Sequence, residues 1–120
     1  MRQPFAHEAV LVMAPDADTR APGAAITTEL CGHWEHEPPC PLAPHHTTAE
    51  RVDGEVSLRI LFAAELDASD TVRERIDLAL SRGYLLGPDS TETRWEVLAS
   101  RPSEVTADET DHAARLAQAQ

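Results

Sequence analysis

Residues 47–63 read TTAERVDGEVSLRILFA, two extended runs on either side of an Asp-Gly pair. Asp53-Gly54 is a two-residue hairpin signal, because both residues tolerate the positive φ angles of a tight turn. Beyond it Val56, Leu58, Ile60 and Phe62 fall on one side of an extended chain, and Ser57 and Arg59 fall on the other. Glu55 to Ala63 is therefore a strand with one buried face, and Thr47 to Val52 is its hairpin partner. Leu61 interrupts the polar side and predicts that the second face is covered in part.

Working outward, Val10 to Ala14 is a short apolar run that Pro15-Asp16-Ala17-Asp18 ends. It reads as a first strand. Pro22 suits the first turn of a helix, and Ile26, Leu30 and Trp34 recur at the spacing of one helical face. Gly32 is a candidate stop for that helix. On the other side of the hairpin, Ser69 and Asp70 open a second helix. Its stripe is Val72, Ile76, Ala79 and Leu80, and Gly83 ends it. Trp95, Val97 and Ala99 alternate on a fourth strand that stops before Pro102. Thr106 and Glu109 form a capping box for a last, polar helix over Ala107–Ala119.

The order β-α-β-β-α-β resembles the split βαβ, ferredoxin-like arrangement, an α+β fold. It implies a four-stranded antiparallel sheet with two helices on one face, plus the C-terminal helix. The expected organisation is a domain over residues 1–105, with a Cys/His/Pro-rich loop at 31–46, and a helical extension over 106–120. A sheet face left open by two helices is expected to be covered in a homodimer.

Composition narrows the function classes. The chain has 120 residues, 42% of them hydrophobic, which is enough for one core. Its formal charge of −11 argues against nucleic-acid phosphates and against an anionic membrane surface. No stretch approaches the roughly 20 apolar residues of a membrane span. The N-terminal apolar run is short for a signal peptide. All ten basic residues are arginine and asparagine is absent, a bias expected of a GC-rich bacterial gene. The expected compartment is the cytoplasm, where two cysteines stay reduced.

Both cysteines and four of the six histidines fall within Cys31–His46, CGHWEHEPPCPLAPHH. Thiolates and imidazoles at such spacing suit zinc, with copper or iron as alternatives. The candidate ligands are Cys31, Cys40, His33, His36, His45 and His46. Prolines 38, 39, 41 and 44 forbid a regular helix there. If the first helix stops at Gly32, the stiff loop returns Cys40 and His45 towards Cys31, giving a mixed thiolate-imidazole site. If the helix continues, Glu29, His33 and His36 share a face and Glu29 becomes a ligand. A reversible Cys31–Cys40 disulfide is a third use of the pair.

The expected function is a metal-binding protein with a structural, storage or sensing site. A small metalloenzyme, hydrolase or lyase, is the alternative, with Glu35 or Glu37 as general base beside a metal-bound water. A third reading is a metal-free dimer that binds a small organic ligand on the open sheet face through Arg59 and Trp95. Arg59 is otherwise expected to pair across strands with Glu50 or Glu96. His7 and His112 read as exposed. There is no Gly-rich phosphate loop, no GxSxG elbow and no HExxH motif, so nothing assigns catalytic residues.

Overall fold

Asp53 and Gly54 take φ angles of 50° and 84°, the left-handed pair of a tight hairpin, and they set the register of everything built on them. In the computed structural model, which describes residues 2–31, 43–87 and 90–118, this turn joins β2 (His45–Val52) to β3 (Glu55–Ala64). Along β3 the residues Val56, Leu58, Ile60 and Phe62 are at most 2% exposed. They face a core shared with Ile26 and Leu30 of α1 (Ala21–Cys31) and with Val72, Ile76, Ala79 and Leu80 of α2 (Ser69–Ser81). β1 (Gln3–Val12) adds Ala9 and Leu11 to the same core.

The main sheet is four-stranded and antiparallel throughout, in the order β2-β3-β1-β6, with β6 spanning Glu96–Ser103. β1 and β2 flank β3 and run parallel to each other; β3 and β6 flank β1 in the same way. Each of the first two helices thus carries the chain past one intervening strand. No helix among the described residues is long and apolar enough to cross a membrane.

The plan expected from sequence differs in several places, the first being that β1 starts at Gln3 and ends at Val12 instead of spanning Val10 to Ala14. A two-stranded sheet, β4 (Tyr84–Leu86) with β5 (Glu92–Arg94), precedes the last strand. Three residues per strand are too few for a periodic signal. Trp95 lies just before β6 rather than in it, and its ring is buried while Val97 is 36% exposed. The Trp95 Nε1–H donates to the Leu80 carbonyl, and the Trp95 amide donates to the Gly83 carbonyl. The Leu80 carbonyl, in the last turn of α2, also accepts from the Gly83 amide at 3.1 Å, so the indole is an added donor that pins Trp95 to the helix end. Gly83, at φ 74°, provides the turn that permits it. Finally, β6 runs through Pro102. An edge strand tolerates a residue with no N–H to donate.

The capping box forms as expected: the Thr106 amide donates to Glu109 Oε1 at 3.0 Å, ahead of α3 (Thr110–Gln118). Ser69 is not the N-cap of α2. A 3-10 turn over Leu66–Ala68 precedes it, and the Ser69 hydroxyl donates to the Leu66 carbonyl. α3 packs on β3 and β1 from the side opposite α1 and α2, where Ala6, Leu61, Ala63 and Ala113 are all 5% exposed or less. This is the partial cover that Leu61 foretold. Part of the face expected to await a second copy is closed by the chain's own last helix.

Candidate functional site

Strand alternation decides which imidazoles can meet. His45 opposes Phe62 in the β2–β3 register and looks towards the helices; His46 opposes Leu61 and looks to the other face. The two adjacent histidines are thereby separated by the sheet.

His45 is held on both nitrogens. Its Nδ1 lies 3.0 Å from the Ala43 carbonyl, which only accepts, so Nδ1 carries the proton in the neutral ring. Nε2 is then the lone-pair nitrogen, and it accepts from the Thr27 hydroxyl at 2.9 Å. Thr27 is on α1, and Cys31 comes one turn later on the same helix. Beside them a groove of about 350 Å³ opens between α1 and β2, lined by Thr19, Arg20, Gly23, Thr27, His45, His46, Thr47 and Ala49. The Thr47 hydroxyl is buried there, with no hydrogen-bond partner among the described residues.

His46 meets an unexpected neighbour. The ring of His112, on α3, lies 4.7 Å from its own, centre to centre, at a tilt of 56°. Sixty-odd residues of sequence separate the two, and no spacing rule could have linked them. Glu29, the ligand of the continuous-helix reading, is fully engaged: Oε1 is 3.2 Å from Arg75 and Oε2 is 2.9 Å from Arg82. It ties α1 to α2. His33, Glu35, His36, Glu37 and Cys40 lie outside the described residues, as do Gly32, Trp34 and the side chain of Cys31. Among the described residues, no group of three or more His, Cys, Asp or Glu side chains converges to hold an ion.

Two further polar constellations escaped the sequence reading. His7, expected at the surface, is 1% exposed under α2. Its Nδ1 accepts from Arg73 at 3.0 Å, its Nε2–H donates to the Ser100 hydroxyl at 2.8 Å, and Ser100 donates to Asp77. The direction of this chain is fixed by the guanidinium, which cannot accept. It is a docking network and not a nucleophile relay: Nε2 carries the proton that a Ser100 nucleophile would have to give up. Burial is the main cause that holds the His7 pKa below its ordinary value, ahead of the opposing charge of Asp77. Arg73 also donates to the Ala6 carbonyl and lies over the Phe62 ring.

Arg59 does have acidic partners, but neither is Glu50 or Glu96. Its guanidinium meets Glu109 at 2.8 Å and 2.9 Å and Glu8 at 3.5 Å, and also bonds Ser103 and the Glu104 carbonyl. Hydrogen bonding from Arg59 draws the Glu109 pKa down to about 2. Near it on the second face lies a depression of about 560 Å³, lined in part by Glu8, Val10, Glu50, Arg59 and Arg101. Of the two residues of the organic-ligand reading, Arg59 lines this depression while bonded to carboxylates, and Trp95 is turned into the core.

Set against protein-family models, curated proteins and solved structures, the chain matches none of them.

Proposed function

We propose that this is a small transition-metal-binding protein, with zinc as its ion and a structural, storage or sensing role. The site is formed by Cys31, Cys40 and His45, with a fourth ligand from His33 or His36. The observation that carries the reading is the orientation of His45. An imidazole whose Nδ1–H is anchored on a backbone carbonyl presents a fixed Nε2 lone pair, the usual arrangement of a metal-ligating histidine. That nitrogen lies beside α1 one turn before Cys31, where the Cys/His/Pro-rich stretch begins. Thr27 occupies the lone pair with a neutral hydroxyl, a contact that a cation replaces at small cost. The thiolates require a reducing compartment, hence the cytoplasm.

At the level of fold we read the chain as ferredoxin-like. The order β6-β1-β3-β2 and the two crossovers past one strand support this, with β4-β5 as an insertion. A homodimer through the remainder of the second face is supported by Val10 and Val12, which α3 leaves accessible, Val12 at 40%.

The test is elemental analysis of the untagged full chain after growth with added zinc. About one tightly held zinc per chain is expected, as for a closed four-ligand site. Cys31→Ser and Cys40→Ser should each release it. A ratio near zero in the parent chain, or full retention in both variants, overturns the reading.

A further inference from the structure

We infer that His46 and His112 form a second transition-metal site, separate from the one proposed above, and that an ion bound there latches α3 onto the sheet. The two rings come from β2 and α3 and face each other across the junction between these elements, 4.7 Å apart and tilted by 56°. An ion at about 2.0–2.1 Å from one nitrogen of each ring, at a tetrahedral angle, sets the two ring centres about 5 Å apart. The observed separation of 4.7 Å is close to that spacing.

The surroundings favour a cation. Asp111 adjoins His112 and Asp108 precedes it by one turn, in a chain of net charge −11. His46 is exposed and His112 half-buried, so water has access to the remaining coordination positions. Two protein ligands make an exchangeable site, one that fills and empties with the free ion. It does not hold an ion permanently.

The consequence follows from where the pair sits. α3 covers Ala6, Leu61 and Ala63 on the second face, and its ties to the sheet include Ala113, the Arg59–Glu109 pair in the turn that precedes it and this imidazole contact. An ion across His46 and His112 cross-links α3 to β2, a strand that the Arg59–Glu109 pair, which joins it to β3, does not reach. Occupancy stabilises the docked state by mass action, so the closure of that end of the sheet responds to zinc concentration.

The experiment uses the full chain carrying Cys31→Ser and Cys40→Ser, which removes the first site from the measurement. Amide hydrogen exchange over residues 110–118 is compared with and without zinc chloride. Zinc at about 100 times its dissociation constant slows exchange through opening of α3 by up to about a hundredfold. Adding His112→Ala abolishes the slowing without unfolding the helix, since alanine is a strong helix former. His46→Gln does the same from the strand side. Exchange in α3 that is indifferent to zinc, or slowed equally in the His112→Ala chain, overturns the inference. Neither result bears on zinc content at Cys31 and Cys40, so the two proposals stand or fall separately.

Discussion

His7 shows how much one side chain can depend on its tertiary place. In the chain it is an isolated histidine near the N-terminus; in the fold it is buried, neutral and bonded on both nitrogens. Protonation would put an N–H against the Arg73 guanidinium, so the unfolded chain takes up the proton first. Because the folded pKa lies below the ordinary 6.5, the stability due to neutral His7 is complete above that pH and declines as pH falls below it. Urea unfolding at pH 7.5 and at pH 5.5 should therefore show lower stability at the acidic value. His7→Gln retains an acceptor for Arg73 and a donor for Ser100 but has no proton to take up. Its stability should fall less over the same interval; an equal fall would remove His7 as the cause.

Among the elements, α3 departs furthest from expectation. Its sequence is polar, yet Glu109, in the turn that opens it, is held by Arg59 from the middle of β3. The partners are only 23% and 20% exposed, which places the pair above the usual surface salt bridge. Glu109→Gln should cost about 1–3 kcal/mol at neutral pH, the range for a hydrogen-bonded charged group. A carboxylate with a depressed pKa contributes above its unfolded value of 4.5 and loses that contribution as pH falls towards about 2. The gap between parent and variant in denaturant midpoint should thus close over that interval. A pH-independent gap would mean that Glu109 acts by packing or capping and not by charge.

The same comparison shows what was legible at the element scale. The β2–β3 hairpin, the α2 stripe and the α3 capping box could be read because their signals are local: an Asp-Gly turn, a 3.6-residue period, a four-residue motif. β4-β5 could not, because three residues per strand are too few to show a period. Trp95 looked like a strand residue because alternation with Val97 and Ala99 is as compatible with a ring buried against the end of α2 as with a strand face.

At the scale of the whole molecule, the open question is how the rest of the second sheet face is covered. α3 closes one end; Glu8, Val10 and Arg101 line the depression, and Val12 is exposed two residues along β1 from Val10. Light scattering of the full chain should give about twice the 13.1 kDa monomer mass if a second copy covers this region. Val12→Arg should shift the population to monomer with the thermal midpoint otherwise little changed. A monomer at all concentrations for the parent chain would mean that α3 alone suffices and that the remaining valines are ordinary exposed apolar residues.

Sequence by itself determined the α+β class, the hairpin, the two amphipathic helices and the concentration of potential ligands between positions 31 and 46, because each depends on neighbours a few residues away. Tertiary structure alone decided that His45 and His46 part company across the sheet, that His46 finds His112, and that Glu29 is spent on Arg75 and Arg82. It also decided that Arg59 is satisfied by Glu109. These pairings join residues 46 to 66 positions apart, brought together by strand order and by the docking of α3. No local pattern encodes them: which side chains meet is settled only when the buried faces close on one another.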